Sequence, residues 1–317
     1  MPSEIGGATF NRARKFGVEL ECYAIPPETV AAAIRAVGVE CQVEAYNHAR
    51  RTGWKIVSDA SIRGVHPFEL VSPPMTGDDG LEQVRKVCGV LRACGVKVNK
   101  STGLHVHHDA ADMTLDNLKA VVTMWWKYED VIQFFLPPSR RNNFYCAPCM
   151  PRAGSCGYRW SPTPDPVSGW RTAMNGIRRR EDFQRFENGR YGAVNFDSLW
   201  RHGTIEFRAH SGTIDAAKVC AWIALTQWFL ERGKLKGCRT AARMVGRWAE
   251  HTMYFWRAID WVNLTDPVIV DAKNTLTRRF FMFKELAPTA EGVNRMGADG
   301  RPVQGRDAGQ PEVGEER

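Results

Sequence analysis

Gly103-Leu104-His105-Val106-His107-His108-Asp109 is the stretch on which the reading of the chain turns. In an extended strand successive side chains point to opposite faces, so Leu104 and Val106 share one face while His105 and His107 share the other. Two more stretches repeat the arrangement. In Gly17-Val18-Glu19-Leu20-Glu21-Cys22 the two carboxylates lie opposite Val18, Leu20 and Cys22, and in Thr204-Ile205-Glu206-Phe207-Arg208-Ala209 the pair Glu206 and Arg208 lies opposite Ile205, Phe207 and Ala209. Each predicted strand thus has an apolar face for helices and a face of metal-ligating or phosphate-binding side chains. If the strands are neighbours, those side chains converge. A solvated face of an antiparallel sheet alternates in the same way, but such faces usually also carry Thr, Ser and Lys, and these positions hold only Glu, His and Arg. Their joint occurrence favours a site.

Outward from these strands, short segments bounded by Gly, Pro or Asn predict strands at Lys15 to Ala24, Trp54 to Ser58, Pro67 to Ser72, Gly192 to Phe196 and Thr204 to Ala209. Helical periodicity places Leu81, Val84, Val87, Cys88 and Leu91 on one stripe of a helix from Gly80 to Gly95. Thr114 is expected to cap a long helix with Leu118, Val121, Val122, Trp125 and Ile132 on its apolar side, and Asp215 another that runs to Gly233. A Trp-rich helical region is expected over Thr240 to Val262. Cys146 to Gly169, with five prolines, reads as a long irregular loop, and Ala287 to Arg317, without an aromatic residue, as a disordered tail. This divides the chain into an N-terminal segment 1–14, a catalytic domain 15–286 with an Arg-rich loop 139–190, and the tail 287–317.

Composition narrows the classes. The 317 residues are 44% hydrophobic and 25% charged, which excludes disorder of the whole chain and allows a sizeable core. The most apolar stretch, Val219 to Leu230, is far shorter than the roughly 20 residues needed to span a bilayer. Met1 to Lys15 has no apolar segment of a secretory signal, so a cytoplasmic protein is expected. Nine scattered cysteines do not form a disulfide framework, and reduced thiols are expected. Cys146-Ala147-Pro148-Cys149 followed by Cys156 has the C-x₂-C spacing of a zinc knuckle, with His202 as a candidate fourth ligand. Without a second such pair, free thiols are the default. Of the net charge of +8, Ser139 to Arg190 supplies most: ten Arg and no Lys against four acids. An anionic partner follows.

At these residues the sequence resembles the amidoligase family, which is similar to glutamine synthetase and the glutamate–cysteine ligases. The resemblance rests on six pieces in order: Gly17-Val18-Glu19-Leu20-Glu21, Trp54 to Ser61, Phe68-Glu69-Leu70-Val71-Ser72-Pro73, Ser101-Thr102-Gly103-Leu104-His105-Val106-His107, Arg140-Arg141-Asn142 and Thr204 to His210. It implies an α+β, glutamine synthetase-like catalytic domain, a curved, mostly antiparallel sheet with helices on its convex face. It also implies ATP-dependent amide formation between a carboxylate substrate and an amine acceptor, through an acyl phosphate, with magnesium or alternatively manganese. By resemblance Glu19, His105 and Glu206 would hold one metal, and Glu21 and Glu69 the other. Arg208, Glu69 and Asp59 would be catalytic. Arg140, Arg141, Asn142, His107, Ser61 and Asn195 would contact nucleotide or substrate.

Two departures stand out. Glutamine synthetases carry a further carboxylate beyond the position of Glu69, whereas Ser72 to Gly77 holds none, which leaves Asp59 as the substitute. The chain also lacks room for their N-terminal domain, so ammonia and glutamate are not assumed as substrates. Two other classes remain at this stage. One is a metal-dependent hydrolase, although neither H-E-x-x-H nor a nucleophile elbow is present. The other is a nucleic-acid-binding protein using the arginine segment, including Arg178-Arg179-Arg180, although no binding motif accompanies the charge. The sequence leaves the oligomeric state open.

Overall fold

A computed structural model of the chain describes residues 9–47, 49–141, 143–149, 173–185, 189–241, 255–256, 261 and 264–284. In chain order its main elements are β1 (Phe16–Cys22), α1 (Pro27–Ala36), β2 (Cys41–Val43), β3 (Trp54–Val57), β4 (Phe68–Val71), α2 (Gly77–Ala93), β5 (Gly103–Asp109), α3 (Leu115–Gln133), β6 (Val194–Asn195), α4 (Ser198–His202), β7 (Thr204–Ser211), α5 (Ala216–Ala241) and α6 (Pro267–Lys284). The class is α+β. Seven strands form one sheet in the order β2-β3-β4-β1-β5-β7-β6, antiparallel except for the β2–β3 pair.

The alternation of the three central strands has the packing consequence expected of it. Val18, Leu20, Leu104, Val106, Ile205 and Phe207 are fully buried. Over them lie α2, α3 and α5, and the centre of this layer is aromatic: the Trp125 ring lies 5.2 Å from Phe207, 5.3 Å from Phe229 and 6.1 Å from Trp222. Truncating such a ring to Ala typically costs about 3–5 kcal/mol. The described Trp54, Trp125, Trp222 and Trp261 are fully buried, as core residues rather than stacking platforms.

The caps follow their chemistry. Thr114 accepts the Asn117 N–H while the Asn117 side chain accepts the Thr114 N–H, a reciprocal cap at the start of α3. Asp215 Oδ1 accepts the N–H groups of Ala217 and Lys218 at the start of α5. Gly95, at φ +75°, follows the end of α2 in a left-handed conformation that costs glycine little.

Gly233 differs from expectation. It is not a stop, because α5 runs on to Ala241. A Cβ at Gly233 would meet Val121 Cγ2 at 2.8 Å and the Asn117 carbonyl at 3.2 Å, so its function is close packing of α5 on α3. Helices α1 and α6 and strand β2 are also beyond what the sequence reading anticipated. The expected Trp-rich helical region lies almost wholly outside the described residues, as do the tail and most of the Cys146 to Gly169 loop. Among the described residues no helix is long and apolar enough to cross a membrane.

Candidate active site

The opposite face of the sheet carries the chemistry, and strand register decides which side chains meet. Antiparallel pairing sets Glu19 opposite His105 and Gly17 opposite His107 across β1 and β5. It sets Glu69 of β4 opposite Glu21, Glu206 of β7 opposite His107, and Asn195 of β6 opposite Glu206. The result is a row of carboxylates and imidazoles across four strands, continued by the Asn195 amide on a fifth, on the floor of a cleft of about 950 Å³.

Three overlapping groups in this row present ligand atoms within 4.8 Å of one another: Glu19, His107 and Glu206; Glu19, Glu69 and His105; and Glu21, Asp59 and Glu69. His105 Nδ1 lies 2.9 Å from Glu19 Oε2 and 3.5 Å from Glu206 Oε1, while its Nε2 is 3.4 Å from Glu21 Oε1. The His107 ring is oriented by Thr204 Oγ1, 3.0 Å from its Nδ1. Its buried Nε2 points toward Glu19 Oε1 at 3.2 Å, yet outside hydrogen-bonding geometry. One ring nitrogen held by an oxygen and the other left toward carboxylates is the arrangement of a metal-binding imidazole. Carboxylate and imidazole donors of this kind suit magnesium or manganese.

The electrostatics are those of a crowded acidic site. Burial and the neighbouring charges of Glu19, Glu21 and Asp59 push the Glu69 carboxyl well above its usual range. Burial pushes Glu19 the same way, but His107 and His105 overcome it and hold Glu19 well below. Glu206 is likewise lowered against burial, chiefly by Arg208 and His107. Its two oxygens have separate partners: Oε1 accepts from Arg208 Nη1, and Oε2 accepts from Asn195 Nδ2 at 2.6 Å. Glu21 Oε2 accepts the Gly103 N–H at 2.6 Å, which ties β1 to the start of β5. Glu21, His105 and Glu206 are only 4–7% exposed, so these charges depend on one another rather than on water.

The structure brings Glu19, Glu21, Asp59, Ser61, Glu69, His105, His107, Arg140, Asn195, Glu206 and Arg208 to one cleft. Two neighbouring arginines part company. Arg140 lines the cleft and donates from Nη2 to the Arg208 carbonyl at 2.7 Å and from Nε to the Ala209 carbonyl at 3.3 Å, which fixes the backbone that carries Arg208. Arg141 lies elsewhere: its guanidinium donates to the carbonyls of Gln133, Leu136 and Phe283, where α3 ends against α6. Asn142 lies outside the described residues. Cys146 and Cys149 are buried and in no disulfide, and Cys156 lies outside the described residues. Among the described residues, no candidate cation group contains a cysteine.

Residues of the cleft that the sequence reading passed over sit on loops, short turns and α4. They include Tyr46, Arg63, Lys100, Tyr145, Tyr191 and Arg201, whereas Arg190, which also lines the cleft, ends the Arg-rich segment for which an anionic partner was expected. No periodicity marks a loop residue, and only tertiary placement reveals them. Lys55 of β3 lines the adjoining pocket together with Glu19 and Glu69. It is buried, and its ammonium donates to the carbonyls of Asn47 and Ala49 and to Asn47 Oδ1 at 2.8–2.9 Å, which ties the β2–β3 connection down over the sheet. Arg50 of the same connection reaches across to the His202 carbonyl on α4.

A comparison with curated proteins finds no match. The model of the family described as putative amidoligase enzyme matches residues 12–230, which include every strand of the sheet and every side chain of the acidic row. With more than two thirds of its length matched, the chain belongs to the putative amidoligase family, enzymes of the ligase type.

Proposed function

We propose that the chain is an ATP-dependent carboxylate–amine ligase, on a glutamine synthetase-like catalytic domain, that forms an amide through an acyl phosphate. The observation that carries this reading is the set of three overlapping ligand groups sharing Glu19 and Glu69, with Arg208 fixed on Glu206 beside them. Carboxylate-rich sites suit hard cations that also bind phosphate oxygens. Glu19, His105, His107 and Glu206 would hold one divalent cation and Glu21, Asp59 and Glu69 a second. Such cations supply charge that offsets that of the terminal phosphate.

The protein's own residues then have these tasks. A carboxylate oxygen of the donor attacks the terminal phosphorus, the bond to the bridging oxygen breaks, and ADP leaves. Arg208 stabilises the charge that spreads over the transferring group. Arg140 holds the backbone of Arg208, so the guanidinium is positioned before substrate arrives. The amine nitrogen next attacks the acyl carbon, the carbon–oxygen bond to phosphate breaks, and inorganic phosphate departs. The proton lost by the amine passes to Asp59, which would give one carboxylate oxygen to the cation and keep the other as acceptor. An ATP-consuming reaction and free cysteines fit the cytoplasm.

The test is coupled ADP release from the full chain against a panel of acids and amines in magnesium. ADP release that requires both an acid and an amine is expected. Hydrolysis of an amide without nucleotide, or failure of magnesium-ATP to bind in a calorimetric titration, overturns the reading.

A further inference from the structure

The mouth of the cleft carries charge that the reaction itself does not use. The inner cations are engaged, Arg208 with Glu206 and Arg140 with two carbonyls. Four exposed cations line the same cleft farther out: Arg63, Lys100, Arg190 and Arg201. Among the described residues none of the four has an acidic partner.

They form two banks. Arg63 and Lys100 come from the β3–β4 and α2–β5 loops, which are stapled together: the Arg63 N–H donates to Ser101 Oγ at 2.9 Å and Asn99 Nδ2 donates to the Arg63 carbonyl at 2.6 Å. Arg190 and Arg201 come from the other side, just before β6 and on α4, with the Arg190 guanidinium 5.0 Å from the Tyr191 ring centre. Beside that second bank lies an aromatic cluster. Phe144 and Tyr145 are 71% and 54% exposed, and the Phe144 ring centre is 5.2 Å from that of Tyr191. Exposed aromatic and Arg clusters of this kind mark surfaces that bind other molecules. At about 950 Å³ the cleft is also at the upper end of small-molecule sites.

We infer that the carboxylate donor is carried on an acidic peptide segment that lies across the cleft mouth, held by the Arg63–Lys100 bank on one side and the Arg190–Arg201 bank on the other. This rests on the ligase reading, since an amide-forming site needs a carboxyl donor, and the two banks select one whose neighbouring residues are also anionic. Cations at such exposed positions contribute through several weak contacts, each worth about 0.2–1 kcal/mol. Two lost contacts therefore weaken binding by about 2–30-fold.

The experiment is fluorescence anisotropy of fluorescein-labelled octaglutamate titrated with the full chain in magnesium buffer. The probe should bind, and bind less well as salt is raised. Arg63→Ser with Lys100→Ser, and Arg190→Ser with Arg201→Ser, should each lose about 2–30-fold, and the fourfold variant more than either. Free glutamate at the same concentration should not displace the probe. Thermal unfolding of the variants checks that they fold. Absence of binding, binding unchanged in the fourfold variant, displacement by free glutamate, or equal affinity for a labelled thymidine oligonucleotide of the same charge overturns the inference. Calorimetry of magnesium-ATP with the wild-type chain keeps the two ideas apart: nucleotide bound but octaglutamate ignored removes the peptide donor and leaves the ligase standing.

Discussion

Replacing Arg208 by Ala separates a residue that stabilises the reaction from one that only neutralises a neighbour. Arg208 Nη1 contacts Glu206 Oε1 and lies 3.5 Å from His105 Nδ1, and its Nε is 3.5 Å from the Tyr145 carbonyl. Burial disfavours its charge, but Glu206, Glu19 and Glu21 outweigh burial and raise its pKa. Removing one partner of a buried pair costs about 3–5 kcal/mol because the other charge stays desolvated. Here the Arg208 side chain is 17% exposed, and Asn195 still donates to Glu206. The expected loss of unfolding free energy is therefore smaller, about 2–3 kcal/mol without divalent metal. Bound magnesium offsets the orphaned carboxylate, so the loss should shrink when magnesium is added.

Turnover should respond differently. A preorganised donor aimed at developing charge is worth about 10²–10³ in rate, or roughly 2.7–4 kcal/mol. Arg208→Lys keeps the charge but lacks the planar fork, so it should regain most of the stability and little of the rate. Urea unfolding with and without magnesium, alongside ADP release with a competent acid and amine, measures both quantities. Wild-type turnover in Arg208→Ala, or full recovery of rate in Arg208→Lys, would refute the role assigned to the guanidinium.

Three more outcomes are expected. His108 Nε2 pairs with Thr226 Oγ1 at 2.8 Å and His210 Nδ1 with the Ser211 carbonyl at 2.6 Å, and burial holds both rings well below the usual histidine range. Above the unfolded-state value of about 6.5 both states are neutral; below it only the unfolded chain takes up protons, so stability is lost as pH falls, at up to about 1.4 kcal/mol per pH unit for each histidine. Urea unfolding at pH 7.5, 6.5 and 5.5 reads this slope, and a smaller loss on acidification in the double variant His108→Gln with His210→Gln is its control. Glu19→Gln or Glu206→Gln, which keep size and remove charge, should weaken magnesium-dependent ATP binding in a calorimetric titration, and unchanged affinity in both would take these residues out of the site. Gly233→Ala gains up to about 1 kcal/mol of helix propensity but overpacks Val121, at a cost of about 1–3 kcal/mol. A net loss in thermal unfolding is expected, and a stabilised variant would show that α5 and α3 can part there.

How far the chain could be read in advance follows from the range of the forces involved. Alternation at period two is local, and it assigned Glu19 and Glu21, His105 and His107, and Glu206 and Arg208 to one face each before any pairing was known. The caps at Thr114 and Asp215 are equally local, because a side chain there competes only for the next few N–H groups. Which strands lie side by side is not local. Only the order β4-β1-β5-β7-β6 sets Glu69 beside Glu21, His105 between Glu19 and Glu206, and Asn195 on Glu206, and only that order turns three polar faces into shared ligand groups. The same distinction separates Arg140 from Arg141, chemically identical neighbours of which one lines the cleft and the other caps the end of α3. It also accounts for Gly233, which has the composition of a helix stop but lies at a helix crossing, where the nearest atoms belong to residues more than a hundred positions away. The four cations at the cleft mouth lie on loops, a short turn and the five-residue α4, too short for any periodicity, and the meeting of those segments is a property of the folded chain alone. Sequence determined the faces and the caps because backbone geometry enforces them residue by residue. The site was decided by register and by the packing of distant segments, which no short stretch encodes.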